Sequence, residues 1–243
     1  MKRRGSRLFY KAIRAALFIV YRIFFDFKVF GSERVPSEAD GRGVILAPNH
    51  ASYLDPPILG ISLKRQVTYL AKEYLFKNPF VGLVLRGIGA FAIRTRTDDF
   101  RTIRELVRIL KDGQCVTVFP EGTRSSDGAL REAEGGVGFL AAKSAAYVVP
   151  VYIKGTFEAF PRGVNSFKCR PVEVHYGHPF VPAEDAALMN AEDPYAAIGR
   201  RIMKEIQGLK EEVDRKRLLK SRAAGLKFDQ DRREQVRGAK ERF

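Results

Sequence analysis

The sequence predicts an α/β fold, a single domain whose largely parallel central sheet is flanked by helices, preceded by an N-terminal amphipathic helix. Three observations predict it. From residue 43 to about 180, short apolar runs alternate with helical patterns, and strands interleaved with helices build parallel sheets. The 243 residues suffice for one large hydrophobic core. The first thirty residues place apolar side chains opposite basic ones when plotted at about 100° per residue.

Taken in order, residues 1–30 come first. Phe9, Ile13, Ala16, Leu17, Val20, Phe24 and Phe27 fall near one direction, and Arg4, Arg7, Lys11, Arg14 and Arg22 fall opposite. The pattern predicts a helix ending near Gly31. Phe18 and Phe25 intrude on the basic side, so more than half the circumference is apolar. Such a helix suits the headgroup plane of an anionic membrane, with basic side chains reaching lipid phosphates. The same pattern also describes a terminal helix docked on its own domain; the aromatics and five aligned basic residues favour the membrane. Its longest uncharged run, Ala15 to Tyr21, is far short of the roughly 20 apolar residues that span a bilayer. No cleavable secretory signal is visible. A peripheral, monotopic protein on the cytoplasmic face of the cell membrane is therefore expected.

The body, residues 31–207, reads as one α/β domain. "GVILAP" is a strand and "PPILGISLK" a helix opened by proline. "QVTYLA" is a strand, "NPFVGLVLRGIG" a helix stopped by glycine, and "AFAIR" a short strand. "DDFRTIRELVRILKDG" is a helix with acidic residues at its start and Lys111 and Gly113 at its end. "QCVTVFP" is a strand, "GGVGFLAAKSAA" a small-residue helix, and "YVVPVYI" and "RPVEVHYG" two more strands. Residues 194 to 222 read as a charged helix with a frayed end beyond it, so 208–243 is taken as a C-terminal tail.

The net charge of +15 sits mostly at the two ends. Residues 1–28 carry eight Lys/Arg against one Asp, and residues 208–243 carry twelve against seven acidic groups. Basic ends attract polyanions, either nucleic acid or anionic lipid. Nucleic acid would not need a Phe-rich face, and none is expected as a partner. The two cysteines, Cys115 and Cys169, lack metal-ligand spacing and read as reduced.

Three stretches carry chemistry. In "APNHASYLDPP", His50 and Asp55 are five residues apart, so they share no helical face and meet only if the chain bends between them. The flanks provide a bend: a strand ending at Pro48, then a loop, then Asp55 as N-cap with Pro56 at the first helical position. There Asp55 would fix the imidazole tautomer and leave the other nitrogen as a base. An Asp before two prolines is equally an ordinary helix cap. "VFPEGTRSSDG" leaves a strand into a loop holding Glu121, Gly122, Thr123 and Arg124. Arg124 is placed to grip a phosphate or carboxylate with two N–H groups, and a glycine amide to face an oxyanion; the rest is also ordinary turn sequence. "GAFAIRTRTDD" delivers Arg94 and Arg96 at a strand end, a phosphate clamp or a solvated loop.

"NHASYLD", "GAFAIR", "FPEGTRS" and "VVPVYIKGT", in this order and spacing, resemble the four boxes of the glycerolipid acyltransferase superfamily, most closely its bacterial 1-acylglycerol-3-phosphate acyltransferases. The resemblance runs from about residue 30 to 180. It implies His50 as general base and Asp55 as its orienter. It implies Arg94 and Arg124 as ligands of the lysophosphatidic acid phosphate, and Glu121, Gly122 and Thr123 as shaping the acceptor site. Pro150 would line a pocket, and Lys72, in "LAKEYLFKNPFVG", is a candidate pocket residue.

The expected reaction moves an acyl chain from acyl-CoA or acyl-carrier protein, as co-substrate, to the free hydroxyl of lysophosphatidic acid, making phosphatidic acid. No cofactor and no metal is expected. Glycerol 3-phosphate, another lysophospholipid or a lyso-aminolipid are the alternative acceptors. A non-catalytic basic lipid- or nucleic-acid-binding protein is the more remote reading.

Overall fold

The computed structural model of the chain describes residues 7–87, 90–93, 100–164 and 166–240; of these, 7–9, 72, 84, 86, 87, 91–93, 100, 101 and 224–240 are described by backbone alone. Helix α1 (Arg7–Phe25) ends at Asp26, whose φ of 40° leaves the helical region. The edge strand β1 (Lys28–Phe30) follows. The predicted helix as far as Gly31 is thus too long, because residues 28–30 pair with a strand some 145 residues later in the chain.

Next come β2 (Val44–Pro48), α2 (Asp55–Ser62), β3 (Val67–Lys72), α3 (Pro79–Gly87), β4 (Ala90–Ile93), α4 (Phe100–Lys111) and β5 (Cys115–Thr117). They are followed by α5 (Gly135–Ser144), β6 (Tyr147–Lys154), α6 (Thr156–Ala159), β7 (Glu173–Tyr176), α7 (Ala186–Met189) and α8 (Pro194–Lys240). The expected fraying of the last residues is not seen in the backbone, which stays helical to Lys240. Residues 224–240 are rich in Lys, Arg, Gln and Ala, all good helix formers. The chain divides into two compact units, Met1–Gln207 and Gly208–Phe243.

Seven strands form one sheet in the order β1-β7-β6-β2-β5-β3-β4. Every neighbouring pair is parallel except β6 and β7, so β1 and β7 run against the other five. From β2 the chain crosses over β5 to β3, whereas from β5 it crosses over β2 to β6. Right-handed crossovers in opposite directions put their helices on opposite faces. That accounts for α1 packing on α2 and α3 while α4 packs on α5. The reversal lies between β2 and β5, and at such a point the loops beyond the strand ends part to leave a crevice.

The central strands β2, β5 and β6 are buried on both sides, which is why they read as unbroken apolar runs. Val44 and Leu46 join Ile58, Leu59 and Ile61 of α2 and Tyr21 and Phe25 of α1 in one cluster; Ile45 and Ala47, also fully buried, alternate to the other face. Each buried Leu or Ile contributes about 1.5–3 kcal/mol before conformational entropy is subtracted.

Helix α1 is docked on its own domain through Ile13, Leu17, Tyr21 and Phe25. This revises the single apolar face read from the sequence, which joined Ile13 and Leu17 to Val20 and Phe24. A second apolar face, with Ile19, Val20, Ile23 and Phe24, stays exposed, Ile23 at 71%. Two of the basic side chains bind backbone carbonyls of the domain itself. Arg14 donates to the Ile61 carbonyl and Arg22 to the Phe27 carbonyl. Among the described residues no helix is long and apolar enough to cross a membrane. Both cysteines are free thiols, and burial pushes Cys115 up to about 12.

Candidate active site

His50 lies two residues beyond the end of β2, and Glu121 four beyond the end of β5, so the loops carrying them leave adjacent strands at the reversal point. Asn49 continues the sheet after Pro48. Its side chain accepts from the Ile153 N–H at 2.7 Å and donates to the Ile153 carbonyl at 3.1 Å. That pairing sets where the loop departs and therefore where His50 begins.

The chain does bend between His50 and Asp55. Nδ1 of His50 lies 2.9 Å from Asp55 Oδ2, with the imidazole 16% exposed and the carboxylate wholly buried. The same Oδ2 accepts the backbone N–H groups of Ala51 and Ser52, both at 2.8 Å. The expected N-cap role is corrected here. Helix α2 starts at Asp55 itself, Leu54 is the cap residue, and Asp55 binds the amides before it. The reason is chemical: a cap at this position would bind the N–H groups two and three residues ahead, but Pro57 has none and that of Ile58 donates to the Leu54 carbonyl. The carboxylate instead folds the loop back on itself and holds the imidazole. With Nδ1–H donated to Asp55, Nε2 carries the free lone pair.

Phe119 stacks on the imidazole at a centroid distance of 3.8 Å and an interplanar angle of 23°. Helix α1 also reaches this end of α2, since the Tyr21 hydroxyl donates to the Leu54 carbonyl at 3.3 Å.

The second loop is stitched to the first. His50 N–H donates to Glu121 Oε1 at 2.9 Å, and Ser125 N–H donates to the His50 carbonyl at 2.7 Å. Glu121 Oε2 accepts from the Arg131 N–H at 3.3 Å. Both carboxylate oxygens of this buried side chain are thus engaged by backbone amides, and what Glu121 shapes in the structure is the loop around His50. Gly122 and Thr123 belong to the turn itself. Their N–H groups donate to the Phe119 and Glu121 carbonyls, so the glycine amide expected to face an oxyanion is already bonded. Gly122 has φ of 64°, and a Cβ there would overlap the Glu134 carboxylate.

Burial pushes the Glu121 carboxyl above the ordinary glutamate value, outweighing the two amide bonds that pull it down. A folded-state value above the unfolded one means that the protonated form stabilises the fold. This contribution is full below the unfolded value and is lost as pH rises through the folded one. Thermal melts of wild type and Glu121→Gln from about pH 4 to about pH 7 should therefore show the difference shifting against wild type as pH rises. A difference that does not move with pH contradicts this.

Arg124 lies with its guanidinium carbon 3.5 Å from the centroid of the Tyr53 ring, and its Nη1 is buried without a hydrogen-bond partner among the described residues. Pro150 is buried within β6, paired with Ala47. Lys72 closes β3, but its side chain, like Arg94 and Arg96 entire, lies outside the described residues. The sequence reading did not pick out Phe119 and Tyr53. Their only signal was an aromatic inside each chemistry-bearing loop.

A family model described as Acyltransferase matches residues 26–154. A 1-acyl-sn-glycerol-3-phosphate acyltransferase of Bacillus subtilis is 28% identical over 206 residues, covering 84% of this chain and 98% of its own length. A lyso-ornithine lipid O-acyltransferase of Pseudomonas aeruginosa is 30% identical over 129 residues, 53% of this chain and 49% of its own. Among solved structures, the 1-acyl-sn-glycerophosphate acyltransferase PlsC of Thermotoga maritima superposes with a TM-score of 0.67 at 28% identity, covering 83% of this chain and 79% of that one.

Proposed function

The chain belongs to the acyltransferase family, and from that premise we propose that it transfers an acyl chain from a thioester to the free hydroxyl of lysophosphatidic acid, producing phosphatidic acid. The observation that carries this reading is the 2.9 Å contact between His50 Nδ1 and the buried Asp55 carboxylate, which leaves Nε2 as a base in the crevice. The Bacillus subtilis 1-acyl-sn-glycerol-3-phosphate acyltransferase, matched over 98% of its length, supports the choice of acceptor.

In the reaction, Nε2 takes the proton of the acceptor hydroxyl as its oxygen attacks the thioester carbonyl. The tetrahedral oxyanion then collapses, the C–S bond breaks, and the thiolate recovers the proton from Nε2. Asp55 stabilises the imidazolium without taking its proton. Direct transfer needs no acyl-enzyme. The nearby hydroxyls of Ser52 and Ser125 donate to the Phe160 carbonyl and the Asp127 carboxylate. Arg124 holds the acceptor phosphate, with Arg94 and Lys72 as further candidates. The donor is acyl-CoA or acyl-carrier protein.

The exposed face of α1 rests on the cytoplasmic surface of an anionic membrane, where the acceptor resides. Burying the exposed parts of Ile23 and Phe24, 71% and 43% of these residues, in lipid is worth at most about 1.5–3 kcal/mol each. Ile23→Asp/Phe24→Asp should then lower co-sedimentation with phosphatidylglycerol vesicles at least tenfold; unchanged binding removes α1 from the interface.

A lyso-aminolipid acceptor is the second reading, favoured by the Pseudomonas relative. An acceptor panel of lysophosphatidic acid, glycerol 3-phosphate, lysophosphatidylethanolamine and lyso-ornithine lipid separates the readings. The highest kcat/KM is expected for lysophosphatidic acid, and a preference for lyso-ornithine lipid overturns the assignment.

A further inference from the structure

We propose that Tyr53 is a positioning residue that sets the affinity for the acceptor phosphate by holding the Arg124 guanidinium flat against its ring. The inference rests on reading Arg124 as the phosphate ligand, and it assigns a task to a residue that neither closes the catalytic pair nor fills the core.

Tyr53 stands between His50 and Asp55 in the first loop, and Arg124 follows Glu121 in the second. The guanidinium carbon is 3.5 Å from the ring centroid, which is contact distance for stacking over the face. The ring is 54% exposed, so hydrophobic burial does not explain a tyrosine here. It is nonetheless braced. Phe160 lies beside it at 6.1 Å between centroids and 44° between planes. The preceding residue anchors the loop to the same place, with Ser52 Oγ donating to the Phe160 carbonyl at 2.6 Å. On the other side, Ser125, next to Arg124, is tied to the His50 carbonyl at 2.7 Å. The ring and the backbone beside Arg124 are thus each tied in place.

A free arginine side chain loses rotamer entropy when it is fixed. Stacking on a braced ring removes much of that loss before the ligand arrives. The contact uses the face of the guanidinium and none of its N–H groups, so the edge that forms paired bonds to phosphate oxygens stays available. Nη1, buried and without a hydrogen-bond partner among the described residues, is one such donor.

The test is steady-state kinetics in mixed micelles with Tyr53→Ala, Tyr53→Phe, Arg124→Ala and the double Tyr53→Ala/Arg124→Ala variant. Lysophosphatidic acid serves as acceptor and monoacylglycerol as the phosphate-free control. Tyr53→Ala is expected to raise the lysophosphatidic acid KM about 3- to 30-fold, the range of a partly desolvated cation–π contact. The kcat, the acyl-donor KM and the monoacylglycerol KM should hold. Tyr53→Phe, which keeps the ring, should restore the acceptor KM. The double variant should be no worse than Arg124→Ala, since both changes remove one clamp. If Arg124→Ala raises the acceptor KM and Tyr53→Ala does not, the positioning role falls while the phosphate reading stands. If Arg124→Ala leaves the acceptor KM unchanged, the phosphate reading fails and takes this role with it. A fall in kcat at constant KM in Tyr53→Ala also overturns the proposal.

Discussion

Replacing His50 with alanine is expected to lower kcat by about 10²- to 10⁴-fold, the usual contribution of a positioned general base. The folded state should survive the change. The imidazole is 16% exposed, and the Asp55 oxygen it leaves still accepts the Ala51 and Ser52 amides, so no buried carboxylate oxygen is newly stranded. The lost stacking on Phe119 removes a partly buried contact rather than a core side chain. A melting temperature close to wild type together with a collapsed kcat separates loss of a base from loss of structure. Near-normal turnover would remove His50 from the reaction.

Asp55→Asn is the second large effect, and the geometry makes it unusually clean. All three hydrogen bonds to the carboxylate fall on Oδ2, whereas Oδ1 is buried without a partner among the described residues. An asparagine fits with its carbonyl in the Oδ2 position and its amide nitrogen in the Oδ1 position. It would still accept from His50, Ala51 and Ser52. What disappears is the negative charge that stabilises the imidazolium during transfer. A fall in kcat of about 10²- to 10⁴-fold is expected, with a loss of stability near or below about 1–3 kcal/mol. Asp55→Ala differs in kind, because it leaves two buried N–H groups and the imidazole without their acceptor. Its melting temperature should fall well below that of Asp55→Asn. Equal melting temperatures for the two variants would contradict the hydrogen-bond assignment, and wild-type kcat in Asp55→Asn would contradict the electrostatic one.

Most of the body was legible because parallel strands covered on both faces carry a strong local signal. β2, β3, β5 and β6 appear as short, largely apolar runs and need no partner to be recognised. Short elements fixed by distant partners were not legible. β1 is three residues long and becomes a strand only by pairing with β7, so its sequence read as the end of an amphipathic helix. The same limit applied to α1. Periodicity shows how much of a helix is apolar, but not how that surface divides between its own domain and its surroundings.

Within the site, residue types were readable and their partners were not. His50 and Asp55 were paired from the bend implied by two prolines, although Asp55 turns out to bind the amides before it rather than cap the helix. Glu121 looked like a group for the acceptor, but its oxygens face the amides of His50 and Arg131 from 71 and 10 positions away. An acidic side chain in a loop carries no sign of which backbone will fold over it. Tyr53 and Phe119 were silent for a related reason, since an aromatic in a loop becomes informative only when the cation or imidazole beneath it is known.

The measurement that bears most directly on the central claim is the initial rate of phosphatidic acid formation from lysophosphatidic acid, with acyl-CoA and with acyl-carrier protein as donors, for wild type beside His50→Ala. Phosphatidic acid formed by wild type with at least one donor, and a rate lower by about 10²- to 10⁴-fold in the variant, is the predicted result. Lysophosphatidic acid left unacylated by wild type with both donors, or acylated equally fast without His50, would contradict it.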